Sequence, residues 1–143
     1  MKYDHTEKAV ALFTQGYNCA QSVFVAFSDV TGMDEELAKK LSSSFGGGMG
    51  RLREVCGTCS AMFMVAGILY GEGTETDHAI KTEHYKRVQY LAEEFRKKHE
   101  TIRLPRPFER TCRYKRTNSR KEIGAILQGK TVREVCKNCC GDT

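Results

Sequence analysis

Seven cysteines in 143 residues decide which chemistry this chain can attempt. Cys56 and Cys59 stand three apart at the front of a long apolar run, Arg53 to Gly71, REVCGTCSAMFMVAGILYG. At helical spacing one turn separates them and puts both thiols on one face. Such a pair can exchange with a disulfide, ligate a metal, or pack as two small residues. A Cys-x-x-Cys at a helix start is a redox arrangement, because the positive end of the helix dipole favours a thiolate there. Arg51 and Arg53 add positive charge just before Cys56. Cys19 follows Asn18, a predicted N-cap, so it falls in a first helical turn under the same influence. On this reading Cys19 and Cys56 are the catalytic thiolates of a thiol-disulfide oxidoreductase, and Cys59 or Cys136 is the resolving partner. Cys19, Cys56 and Cys136 are predicted to converge at one pole, with at least one thiol titrating below the ordinary value.

The same residues carry a rival reading. Cys136, Cys139 and Cys140 form a second Cys-x-x-Cys with an extra thiol. Cys56, Cys59, Cys136 and Cys139 could together offer four thiolates to zinc or to an Fe-S cluster, as a binding module without turnover. The gap from Cys59 to Cys136 is far longer than in a zinc ribbon. The glycine stretch FGGGMG, residues 45–50, could cradle an anion, but no Gly-Lys-Ser/Thr follows it. Its expected role is a tight turn that lets two helices approach closely. His84 lies on an apolar stripe and reads as a satisfied core histidine, whereas His5, His78 and His99 read as exposed. No Ser-His-Asp set and no paired carboxylates support hydrolase chemistry.

The elements that must position these thiols read as helical. Asp4 with Glu7 forms a predicted capping box, followed by Ala9, Val10, Leu12 and Phe13 and closed by Gly16. Asn18 with Gln21 caps a second helix, carrying Ala20, Val23, Phe24, Ala26 and Phe27, and Gly32 stops it. Asp34 caps a short third helix through Leu37 and Leu41. No helix would tolerate the glycine stretch that comes next. Residues 60–69 are apolar on all sides and are predicted to form the most buried helix. Thr74 and Asp77 open a long helix with the stripe His84, Val88, Leu91 and Phe95. Thr131 with Glu134 caps a last short helix carrying Cys136, Cys139 and Cys140. No stretch alternates convincingly with period two. The expectation is an all-α, compact multi-helix bundle, one domain over residues 1–143. Residues 103–120 are expected to form an irregular basic loop, since Pro105 and Pro107 interrupt helix.

Composition narrows the setting. Forty per cent apolar and 29% charged residues is an ordinary globular mixture. An odd cysteine count cannot be consumed by internal disulfides. The opening MKYDHTEKAVALF lacks the apolar core of a secretory signal, and the apolar run at 61–69 is too short to cross a bilayer. A cytoplasmic setting is therefore expected, where thiols stay reduced and serve catalysis, sensing or metals. The net charge of +5 is concentrated in residues 96–121, which hold no nucleic-acid docking motif and read as a solvated basic loop. The expected partner is a redox partner protein or a small thiol or oxidant, with no nucleic acid and no membrane. A second copy of the chain is also admitted.

Three stretches, EKAVALFTQGYNCAQSVFVAFSD, SSFGGGMG and VCGTCSAMFMVAGILYG, resemble the C_GCAxxG_C_C family of redox-active proteins. These are small bacterial proteins marked by four cysteines and a Cys-Gly-Ala-x-x-Gly motif. The resemblance covers residues 7 to about 102 and implies a thiol redox protein without naming a substrate. Cys19 matches the first family cysteine, Cys56 the second, and Cys136, in VREVC, the fourth. Thr58 stands where the family has Ala, Ala61 where it has Gly, and Cys59 is not a family cysteine. The third family cysteine, normally in a Cys-Arg-x-Leu-Leu context after the long helix, has no match in HETIRLPRPFERTC. With permitted codons, a one-nucleotide shift turns Leu104 to Thr111 into Cys-Arg-Asp-Leu-Leu-Asn-Gly. Residues 103–119 are therefore read as a candidate frameshifted segment, in which Cys112 is an accidental substitute; without a shift, Cys112 is the genuine third thiol.

Overall fold

Side-chain caps start three of the described helices where the sequence expects them. In the computed structural model, which describes residues 5–73 and 77–104, the elements run α1 (His5–Thr14), α2 (Cys19–Ala26), α3 (Ser28–Thr31), α4 (Glu35–Ser42), a 3-10 turn (Ser43–Phe45), α5 (Gly46–Met49), α6 (Gly57–Tyr70) and α7 (His78–His99). The Asn18 side chain accepts from the Gln21 N–H at 2.9 Å, and Gln21 Oε1 accepts from the Asn18 N–H at 3.1 Å. This reciprocal pair satisfies two donors that the first turn leaves free. Gln21 Nε2 also donates to the Lys39 carbonyl at 3.0 Å, which ties α2 to α4. Gly32 closes the next stretch at φ 68°, Asp34 accepts from Leu37 N–H at 3.0 Å, and Asp77 from Ala79 N–H at 2.6 Å. Asp4, Thr74, and the terminal helix expected to carry Cys136, Cys139 and Cys140 lie outside the described residues.

The described residues are all-α, with one isolated antiparallel bridge and no sheet. The centre of the core is α2: Val23, Phe24, Val25 and Ala26 are fully buried, and Phe27 follows them. Helices α1, α4 and α6 pack around it, and α7 packs on α6. This corrects the expectation that 60–69 would be the most buried helix. The helix is buried without a break from Gly57 to Met62, but cover fails in its last turn, where Ile68 and Leu69 are 41% and 36% exposed. The α7 stripe falls as read: Leu91 and Phe95 are buried, with His84 and Val88 half-buried. Ala66 meets Leu91 in a satellite cluster with Phe63 and Tyr90. No described helix is long and apolar enough to cross a membrane.

Two histidines depart from their reading, while His78 is exposed as expected. His5 is not exposed: its ring stacks on Phe27 at 4.4 Å, and its Nε2 bonds Asp29 at 2.9 Å. His99 packs tilted against Phe95 at 4.5 Å, and burial, helped by Lys98, pulls its pKa below the ordinary value. His84 keeps its place on the stripe, but its buried Nδ1 has no hydrogen-bond partner. For His5 the partners, Phe27 and Asp29, come from more than twenty residues away, which no local pattern encodes.

Residues 101–104 make a contact the sequence reading did not foresee. The Cys56 N–H donates to the Ile102 carbonyl at 2.7 Å, and the Leu104 N–H to the Glu54 carbonyl at 2.9 Å. Val55 and Arg103 bridge, and the Arg103 guanidinium pairs with Glu54 at 3.1 Å. The chain leaving α7 thus straps the segment that leads into Cys56. Residues 103 and 104, assigned to the irregular basic loop, are ordered by this pairing. The rest of that loop, and the frameshift reading beyond Leu104, lie outside the described residues.

Candidate functional site

The site is built by a turn that only a glycine-rich segment can make cheaply. Positive φ runs through Gly47, Gly48, Met49, Gly50 and Arg51 (68°, 77°, 63°, 63° and 65°) and returns at Arg53 (60°). A left-handed run costs a residue with a side chain roughly 1–2 kcal/mol, so glycine at three of the five consecutive positions limits the strain. Carbonyls inside the turn hold it: Arg51 N–H donates to Gly46 at 3.2 Å and Glu54 N–H to Gly48 at 3.1 Å. The turn sits hard against the start of α2. A Cβ on Gly46 would lie 2.5 Å from the Asn18 side chain, whose Nδ2 donates to the Ser43 carbonyl at 3.0 Å.

The second close approach brings the thiols together. A Cβ on Gly57 would meet Cys19 Sγ, Ala20 N and the Phe45 carbonyl oxygen, each at 3.0 Å. The start of α6 therefore lies directly on the start of α2. Two of those three atoms are backbone and cannot swing away. Gly57→Ala is expected to cost about 1–3 kcal/mol, read as a melting point several degrees lower, with a slower reaction at both neighbouring thiols. An unchanged melting point would show that the two helix starts are further apart than described here.

Three cysteines, all free thiols, line up at this junction. Cys19 is the first residue of α2 and is half-buried. Cys56, also half-buried, is the N-cap of α6, where the sequence reading had it inside the first turn. The pairing with Ile102–Leu104 keeps Glu54 and Val55 extended and delays the helix to Gly57. Cys59 is one turn further in and fully buried within the main core.

The electrostatics correct the expectation of a depressed thiol at Cys56. Burial raises its pKa, and the charge of the nearby Cys19 raises it further. The N–H and hydroxyl of Thr58 and the N–H of Cys59 face its sulfur and pull the other way without prevailing. Cys59 is pushed up more strongly, by burial and then by the charge of Cys56, against the Arg96 guanidinium of α7. The helix-start rule predicted the opposite sign because it counts the dipole and the donors but not the desolvation that packing adds. The reaction of Cys56 with iodoacetamide is therefore expected to keep accelerating above the pH at which a free cysteine levels off. The linkage has a fixed sign. An acid whose folded pKa is raised contributes stability below its unfolded pKa, and that contribution is lost as pH rises through the folded value. A Cys56 profile lying below that of free cysteine would contradict this.

Of the four residues assigned as catalytic, the structure brings Cys19 and Cys56 together and places Cys59 beneath Cys56. Cys136 lies outside the described residues, as do Cys112, Cys139 and Cys140. Of the four thiolates proposed for zinc or an Fe-S cluster, Cys56 and Cys59 stand one turn apart and the other two are outside. Among the described residues, no group of three or more His, Cys, Asp or Glu side chains could hold a metal ion. The strap at Ile102–Leu104 was missed, although Thr101-Ile102-Arg103-Leu104 alternates polar and apolar, a faint strand signal.

A family model described as "Putative redox-active protein (C_GCAxxG_C_C)" matches residues 17–143. No curated protein and no solved structure matches the chain.

Proposed function

The chain belongs to the C_GCAxxG_C_C family of redox-active proteins, and we propose that it is a dithiol reductant in which Cys56 attacks a disulfide and Cys19 resolves the product. One observation carries this reading. The Cys19 sulfur packs against Gly57, the residue after Cys56, at the junction of two helix starts where both thiols are half-buried.

Cys56 is the attacking sulfur because it has the donors. As a thiolate it accepts from the Thr58 and Cys59 N–H groups. It displaces one sulfur of a substrate disulfide, which leaves as a thiolate and takes up the proton Cys56 gave up. Cys19 then attacks Cys56 Sγ in the mixed disulfide, the second substrate thiolate leaves, and a Cys19–Cys56 disulfide remains. Two electrons pass from the protein to the substrate, which departs as two thiols.

The environment sets the direction. A dithiol becomes an oxidant when its reduced form is stabilised, above all by a low-pKa thiolate. Here burial and mutual repulsion withhold that stabilisation from Cys56, while a neutral disulfide suffers neither penalty. The partners that fit are a small disulfide or the oxidised form of a redox partner protein, in a reducing compartment such as the cytoplasm.

Mixing the reduced protein with bis(2-hydroxyethyl) disulfide tests the reading. In the fast phase the protein should lose two hydrogens by mass and retain no hydroxyethyl adduct. Independent, lasting adducts on Cys19 and Cys56 would show two unconnected thiols and end the proposal.

A further inference from the structure

We infer that Cys59 is an internal resolving thiol, which takes Cys56 over from Cys19 and so moves the disulfide from the half-buried junction into the core. The inference rests on the pairing of Cys19 with Cys56 and adds a third sulfur that the family pattern does not contain. Cys56 stands between the other two. On one side the Cys19 sulfur lies against Gly57; on the other the Cys59 N–H faces the Cys56 sulfur. Residues three apart on a helix have Cα atoms about 5 Å apart, inside the span of about 4.4–6.8 Å that a disulfide bridges. Cys59 is fully buried among the core side chains. A dissolved disulfide cannot reach it directly, whereas Cys56, half-buried and packed against that core, can.

The step is redox-neutral. Cys59 gives up its proton and attacks Cys56 Sγ in the Cys19–Cys56 disulfide. The Cys56–Cys59 bond forms as the Cys19–Cys56 bond breaks, and Cys19 leaves as a thiolate and takes up a proton. The released charge appears at a half-exposed helix start rather than in the core. The outcome is an oxidised protein that has recovered Cys19 as a free thiol and holds its disulfide where bulk reductants reach it poorly.

Peptide mapping over time tests this. The protein is oxidised with bis(2-hydroxyethyl) disulfide, quenched in acid at intervals, alkylated and digested. The wild type should show a Cys19–Cys56 linkage first, then a Cys56–Cys59 linkage growing at the rate the first decays. Cys59→Ala should hold the first linkage indefinitely, and Cys59→Val gives the same readout if alanine loosens the core; circular dichroism confirms that both fold. Cys19→Ser should pass directly to Cys56–Cys59. A wild-type Cys19–Cys56 linkage that never transfers, together with a Cys19→Ser protein that keeps its hydroxyethyl adduct or links Cys56 to a C-terminal cysteine, overturns the role of Cys59 alone. If Cys19–Cys56 never forms in Cys59→Ala, the pairing with Cys19 fails, and the Cys19→Ser protein still decides whether Cys59 reaches Cys56.

Discussion

Cys56→Ser is expected to abolish the fast phase of the reaction with bis(2-hydroxyethyl) disulfide. A serine hydroxyl is not ionised near neutral pH and does not attack a disulfide sulfur, so the first step disappears. The position also joins the other two thiols: Cys19 acts on the sulfur of Cys56, and Cys59 lies one turn beneath it. Its loss should therefore remove every fast linkage, whereas Cys19→Ser keeps the first attack and changes only which sulfur resolves it. The substitution is small, and a serine hydroxyl can face the same Thr58 and Cys59 N–H groups, so the fold should survive, as a cooperative melt would confirm. A Cys56→Ser protein that still loses two hydrogens in the fast phase would assign the attack to another cysteine.

The second large effect is structural. Ala66→Asp should abolish the cooperative melt. Ala66 is fully buried and meets Leu91, Phe63 and Tyr90, none of which carries a positive charge to pair with a carboxylate. An unpaired buried charge costs several kcal/mol or more, against a total stability of about 5–15 kcal/mol for a domain. Ile68→Asp, two residues on but 41% exposed, is the control and should change stability by about 0.5 kcal/mol or less. A soluble Ala66→Asp protein with the wild-type melting point would mean that α6 does not pack on α7 as described.

These expectations also show which parts of the molecule were legible in the sequence. The caps at Asn18, Asp34 and Asp77 were readable because a cap is made by residues two or three apart. The α7 stripe was readable because helical period alone decides which side chains share a face. The glycine stretch was readable as a turn that brings two elements close, although its partner, Asn18, was not. What failed was tertiary. Cys56 is an N-cap because Ile102 and Leu104, some fifty residues downstream, hold the preceding backbone extended. Its pKa rises because burial removes water from the thiol and the charge of Cys19 opposes a second one, neither of which a local rule can count. Ile68 and Leu69 are exposed because the neighbouring helices leave the last turn of α6 uncovered. The approach of Cys19 to Cys56 was anticipated from two helix starts, with Cys59 or Cys136 read as the resolving partner; the contact that produces it runs through Gly57, a residue noted only as part of a motif.

The pairing is tested most directly in Cys59→Ala, where no inward transfer can occur. The reduced variant is treated with one equivalent of bis(2-hydroxyethyl) disulfide under native conditions, quenched in acid, alkylated and mapped. The account predicts that the peptides carrying Cys19 and Cys56 are recovered as one disulfide-linked species, formed in the fast phase and lost together on reduction. Cys19 recovered as an alkylated free thiol at every time point while Cys56 has been oxidised would contradict it.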